Sequence, residues 1–333
     1  MSAMSAVYPW LEGPWQRLTA AIDCGRIPQA LLIHGPAGLG KAGLATLFAQ
    51  RLLCAESGTM PCGHCHSCHL FEAGTHPDYR LVGPEESGKA IKVDAIRKLI
   101  NDLSLKPQYG GYRVFVIDQA DQLNISSANA LLKTLEEPAE RTLLLLITHR
   151  PGRLPPTILS RCQKLSIRAP RRDESIQWLQ AQHPGCAAAV LLSAAGGSPL
   201  QALALASTDV VERRQRMFNE FSGVFQHQLD PVSVADRWHG QAHEECLDWM
   251  LAWVSDMVHL GMAPAASRLS SADLETELTR LIQGHPIGGL IEFREVLLNY
   301  RQALGGQVNR QLLLEEALVG WSRMGQRANM SQS

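Results

Sequence analysis

Two groups of residues in this 333-residue chain have the types and spacings that chemistry needs. The first is Gly35-Pro36-Ala37-Gly38-Leu39-Gly40-Lys41-Ala42, which fits G-x-x-x-x-G-K between an apolar run and a helix-rich stretch. In that context backbone N–H groups at a helix N-terminus cradle phosphates, and the lysine reaches the outer ones. Gly35, Gly38, Gly40 and Lys41 are therefore candidate nucleotide-binding residues. Asp118, which ends the run Arg113–Asp118 (RVFVID), is the candidate acid for holding Mg²⁺. Two positions depart from a working site. Ala42 stands where a Ser or Thr hydroxyl would ligate Mg²⁺. Gln119 follows Asp118, where a glutamate polarises the attacking water in many motor ATPases, and a neutral amide is a poor base. The site is expected to bind ATP or ADP weakly or not at all, and to hydrolyse it poorly.

The second group is Cys54, Cys62, Cys65 and Cys68, spaced C-x7-C-x2-C-x2-C. The close pairs let thiolates converge on one ion, and four thiolates suit a closed tetrahedral zinc site with no position left for catalysis. One structural zinc ion is expected. A reactive dithiol and an iron–sulfur cluster use similar ligands. His64, His66 and His69 lie close enough in sequence to substitute as ligands. Cys24, Cys162, Cys186 and Cys246 are scattered and read as small apolar residues.

The elements that must position these residues follow from hydrophobic periodicity. Strand signals at Ala30–His34, Arg113–Asp118 and Thr142–Thr148 alternate with helix signals at Ala42–Ala55 and Ser126–Glu137. The last of these places Ala128, Leu131, Leu132 and Leu135 on one face and stops at Pro138. Alternation of this kind predicts an α/β phosphate-loop domain with a mostly parallel sheet. It covers residues 1–167, with the cysteine knuckle inserted at about 54–68. Composition changes at Arg168–Glu174 (RAPRRDE), and residues 168–207 read as short helices broken by Pro184-Gly185 and Gly196–Pro199. Residues 208–333 read as nearly all helix. Val210, Val211, Met217, Phe218, Phe221 and Phe225 follow a helical period, and so do Leu274, Leu278, Leu281 and Ile282 behind Ser271, an expected N-cap.

Composition narrows the function classes. With 45% hydrophobic and 19% charged residues the chain can bury a sizeable core, which argues against disorder. Its 31 Lys+Arg against 32 Asp+Glu give no global basic field, so any DNA contact must be local or shared with partner chains. No apolar run approaches the roughly 18 residues of a membrane span. The opening MSAMSAVYPW lacks a basic stretch followed by an apolar core. A cytoplasmic protein with no membrane partner is expected, and its eight cysteines are then not a disulfide framework.

The motif order adds a resemblance. Phosphate loop, four-cysteine knuckle, strand ending in Asp, ALLKTLEEP (Ala130–Pro138) and ILSRC (Ile158–Cys162) together resemble the bacterial clamp-loader subunits of the AAA+ class. Within that class the chain is most similar to the delta-prime subunits of DNA polymerase III. YPW (Tyr8–Trp10), AGTHPD (Ala73–Asp78) and VNRQLLLEEAL (Val308–Leu318) fit the same family, so the likeness spans nearly the whole chain. It implies an AAA+ domain, a small helical lid at 168–207 and an all-α collar domain that oligomerises. It also implies a heteropentamer with delta and gamma/tau subunits that opens the sliding clamp and places it on primed DNA. Such a chain is a rigid subunit of the polymerase III holoenzyme, a nucleotidyltransferase complex, and is itself neither polymerase nor efficient ATPase.

Arg161, in Ser160-Arg161-Cys162, matches the family's arginine finger, which acts in trans on a neighbour's ATP. Leu200, in Gly197-Ser198-Pro199-Leu200, falls where the motor subunits carry a lid arginine. With Ala42 and Gln119, three ATP-handling groups are then missing. Thr148 matches the place of a phosphate-sensing polar group. Lys133, Glu136 and Glu137 are helix charges, either solvated or interfacial. Arg168, Arg171 and Arg172 suit either DNA phosphates or linker ion pairs. Two other functions stay open: an active motor ATPase of the gamma/tau type, and a zinc-dependent nucleic-acid-binding module.

Overall fold

The computed structural model describes residues 7–86, 89–103, 105–109, 111–239, 243–262, 269–283, 285–304 and 308–330. They fall into two compact units, 1–170 and 171–333.

The first unit is built on five parallel strands: β1 Ala30–His34, β2 Tyr79–Val82, β3 Arg113–Ile117, β4 Thr142–Thr148 and β5 Gln163–Ser166. Their order across the sheet is β2-β3-β4-β1-β5. The three inner strands are buried almost throughout and read as continuous apolar runs, as a parallel sheet covered on both faces requires. The covering helices are α1 Glu12–Asp23, α2 Lys41–Leu53, α3 His66–Glu72, α4 Val93–Leu103, α5 Ile125–Glu136 and α6 Pro156–Leu159. Leu31 and Ile33 point to one apolar layer with Leu44 and Phe48, while Leu32, Leu144 and Leu146 join Ile96 and Leu131 in the other. Helix α5 starts at Ile125, one residue before the sequence expectation. Asn124 caps it, its side-chain oxygen accepting from the Ser127 N–H at 2.8 Å. The strand order has a direct consequence. Because β4 lies between β1 and β3, the phosphate loop, Thr148 and Asp118 all leave the same edge of adjoining strands.

No strand occurs among the described residues of the second unit. It contains α7 Arg172–Gln182, α8 Ala188–Ala194, α9 Pro199–Leu205, α10 Val210–Phe225, α11 Pro231–His239, α12 His243–Met262, α13 Glu275–Ile282, α14 Ile287–Ala303 and α15 Arg310–Met330. Leu179, Leu191 and Leu192 of α7 and α8 share one buried apolar cluster with Val210, Met217 and Trp321. Trp321 stacks on Phe221 with ring centroids 4.3 Å apart, and its indole N–H donates to the Phe221 carbonyl at 2.9 Å. Ser271 stands at the N-cap position of a short turn, Ala272–Leu274, that leads into α13, but its side chain makes no capping bond. Buried Asp256 holds the segment before that turn, accepting the Ser270 and Ser271 N–H groups at 2.9 and 2.7 Å. No single described helix is long and apolar enough to cross a membrane.

Candidate functional site

The phosphate loop runs from β1 into α2. Gly35 has φ +148°, and a Cβ there would collide with the carbonyl oxygen of Ile167. Gly40 caps α2 in the left-handed region at φ +81°, which glycine adopts without strain. Lys41, the first residue of α2, is only 7% exposed, and its ammonium donates to the Pro36 carbonyl at 2.5 Å. An outer phosphate would have to displace that loop carbonyl. Burial lowers the Lys41 pKa, while the carboxylates of Asp118 and Asp121 pull it back up. Outside the loop, the Trp10 indole N–H donates to the Leu39 carbonyl at 3.0 Å, fastening the N-terminal segment to it.

Asp118 leaves β3 beside this lysine. Burial raises its pKa, against the Gln119 N–H that donates to Oδ1 at 2.9 Å and against Lys41. Gln119 sits at φ +51°, a left-handed conformation that costs a non-glycine residue of order 1 kcal/mol or more. Sequence reasoning missed Asp121, three residues after Asp118. Its side chain is fully buried. The Thr148 hydroxyl donates to Asp121 Oδ1 at 2.6 Å, and the Arg150 N–H donates to Thr148 Oγ1 at 3.0 Å. The Thr148 proton is thus engaged by Asp121. His149 Nδ1 lies 3.8 Å from the same carboxylate, and burial lowers that imidazole's pKa.

The four cysteines do converge. The Sγ atoms of Cys54, Cys62, Cys65 and Cys68 all lie within 4.8 Å of one another, with Cys54–Cys65 and Cys62–Cys68 both at 3.9 Å. Four sulfurs about 2.3 Å from one ion at tetrahedral corners are about 3.8 Å apart, so the donor set fits a zinc-sized ion. Three amides favour thiolates: the N–H groups of Cys62, Cys65 and Cys68 donate to the sulfurs of Cys54, Cys62 and Cys65 at 3.3–3.4 Å. Burial pushes the Cys65 thiol up, but the Ala55 and Cys68 amides and the Cys68 and Cys62 thiols outweigh it and hold it at about 6. None of His64, His66 and His69 belongs to the four-sulfur group. The His64 ring meets the Cys62 carbonyl instead, at 2.9 Å.

A buried brace stands behind the knuckle. Ser67, between two of the ligands, donates to the Leu53 carbonyl at the end of α2 at 2.6 Å and meets His76 Nε2 at 2.9 Å. His76 Nδ1 accepts the Asp78 N–H at 3.1 Å, so the proton sits on Nε2 and is given to Ser67. With its lone pair turned away, this histidine cannot act as a base toward Ser67. Asp78 is 1% exposed, accepts the Gln108 and Tyr109 N–H groups at 3.0 and 3.2 Å, and faces Arg113 Nε at 3.4 Å. The AGTHPD segment therefore ties the knuckle to the sheet.

Arg161 follows α6. Its polar partners among the described residues are Glu136, Thr157 and Ser160, none in the phosphate loop. Its side chain is 33% exposed. Leu200 sits half-buried in the first turn of α9. Arg172 is held within its own unit, donating to the Ala189 carbonyl at 3.3 Å and the Ser193 hydroxyl at 3.2 Å.

Comparison with known proteins bears on this arrangement. The family described as "DNA polymerase III, delta subunit" matches residues 11–171, and "DNA polymerase III, delta subunit, C terminal" matches residues 208–323. A Pseudomonas aeruginosa relative named DNA polymerase III subunit delta' is 35% identical over 96% of this chain and 99% of its own. The chain belongs to the delta-prime family of DNA polymerase III subunits. The Escherichia coli delta-prime subunit is 32% identical over 94% of both chains. A Haemophilus influenzae tau/gamma subunit is 40% identical over 153 residues, which is 46% of this chain and 22% of that protein. A Salmonella typhimurium tau subunit is 28% identical over 91% of this chain and 51% of its own, so the likeness to tau reaches beyond that stretch at lower identity.

Proposed function

We propose that this chain is the ATPase-deficient delta-prime member of a clamp loader, and that Arg161 completes the nucleotide site of a neighbouring gamma/tau subunit. One combination supports the reading. The chain's own loop has a methyl at Ala42 and an amide at Gln119 where a working site needs a metal ligand and a base. At the end of α6 it offers a partly exposed guanidinium with no contact to that loop. Its partners are delta and gamma/tau in a heteropentamer that loads the sliding clamp onto primed DNA in the cytoplasm. Residues 1–167 form the AAA+ part, 168–207 the lid and 208–333 the collar. Nucleotide, when present, rests on Gly35, Gly38, Gly40 and Lys41, with Asp118 offering an oxygen ligand to a metal. Cys54, Cys62, Cys65 and Cys68 hold one zinc ion, which supplies folding stability and no catalytic step.

The test is ATP turnover of the reassembled complex. An arginine finger is worth about 10³–10⁵ in rate, so Arg161→Ala is expected to slow hydrolysis at that neighbour's site by about a thousand-fold, and so lower turnover, while the complex stays assembled. Unchanged turnover removes the finger assignment. The purified chain alone should show negligible hydrolysis, and brisk hydrolysis abolished by Lys41→Ala would instead make it a motor subunit.

A further inference from the structure

Glu136 is the last residue of α5, and its carboxylate meets Arg161 Nη2 at 2.5 Å. A carboxylate at a helix C-terminus faces the negative end of the dipole, an unfavourable place unless a cation compensates. The other terminal nitrogen, Nη1, donates to the Thr157 carbonyl at 3.0 Å. Both ends of the guanidinium fork are therefore occupied within the chain. Neither partner is sealed in, since Glu136 is 50% and Arg161 33% exposed, so an incoming anion can compete for the pair.

We propose that Glu136 is a positioning residue that parks Arg161 and decides which anion can claim it. The inference rests on Arg161 acting in trans. A terminal phosphate carries up to about two negative charges and three acceptor oxygens, against one charge and two oxygens on the carboxylate. It can take the guanidinium from Glu136. A neighbour loaded with a nucleoside diphosphate presents no γ-phosphate, and the arginine stays parked. The ion pair thus makes engagement across the subunit seam conditional on a triphosphate.

The experiment compares the assembled complex carrying the wild-type chain, Glu136→Ala, Glu136→Gln, Arg161→Ala or the Glu136→Ala/Arg161→Ala pair. Partly exposed ion pairs are worth a few-fold in an equilibrium, so Glu136→Ala should lower the KM for ATP by about three-fold and leave the inhibition constant for ADP nearly unchanged, because ADP offers the freed arginine no γ-phosphate. The kcat should stay unchanged. Glu136→Gln, which keeps an acceptor without charge, should fall between. The double variant should match Arg161→Ala, because nothing remains to park. Thermal unfolding of each free chain checks that the fold is intact. If Arg161→Ala slows turnover but Glu136→Ala leaves the KM for ATP unchanged, parking is wrong and the finger survives. A fall in kcat on Glu136→Ala also overturns parking, because the carboxylate would then be holding the arginine in its productive pose. No effect of Arg161→Ala removes the underlying reading itself.

Discussion

Burial holds the His76 imidazole below its ordinary pKa of 6.5, against the upward pull of the Asp78 carboxylate. Hydrogen bonding points the same way, because Nδ1 accepts the Asp78 N–H and cannot also carry a proton. The folded pKa lies below the unfolded one, so the contribution to stability is complete above about pH 6.5 and is lost as pH falls through the depressed value. Melting temperature should therefore drop between about pH 7.5 and about pH 5.5. In His76→Asn the drop should be shallower, and parallel curves for the two proteins would refute the assignment. The phosphate loop and the knuckle ligands were legible because each is a local pattern whose spacing carries its chemistry. The roles of Asp121 and Glu136 were not, because what matters about them is a partner far away in sequence: Thr148 is 27 residues from Asp121, and Arg161 is 25 from Glu136.

Among the elements, β1, β3 and β4 were readable as apolar runs because both of their faces are buried. Strands β2 (YRLV) and β5 (QKLS) lie at the two sheet edges, partly exposed, and show no such run. What places β5 is pairing with β1, not its own composition. Asp78 carries the joint between β3 and the segment after the knuckle. Removing its carboxylate takes the counter-charge from buried Arg113, which keeps carbonyl partners at both Nη atoms, and leaves two amides without their acceptor, so Asp78→Ala should cost about 3–5 kcal/mol in denaturant unfolding. In the helical unit, Trp321→Ala should cost about 3–5 kcal/mol, since the ring is fully buried on Phe221 and its N–H bond is lost as well. A loss under about 1 kcal/mol in either variant would show that the site collapses to fill the gap.

For the whole molecule, the shift in composition at Arg168–Glu174 lies at the division between the two compact units, after residue 170. The further division near residue 207 is not visible as a gap in packing, since α7 and α8 share their apolar cluster with α10. Two units with separate cores give the metal a restricted reach. Chelation of the proposed zinc should remove hydrogen-exchange protection from residues 54–79, the knuckle and its His76–Asp78 brace. Helices α10 to α15 should keep their protection, because none of the four cysteines lies in their unit. Uniform loss across both units would mean that the metal supports the entire chain.

The Trp10 bond to the Leu39 carbonyl puts an indole against the loop that would receive a nucleotide. Of the seven tryptophans, only Trp10 and Trp15 fall in the first unit. The molecule therefore carries its own optical gauge. Ligand entering at Gly35–Lys41 should alter the emission of Trp10, and Trp10→Phe should silence the signal without touching the glycines or the lysine beneath it.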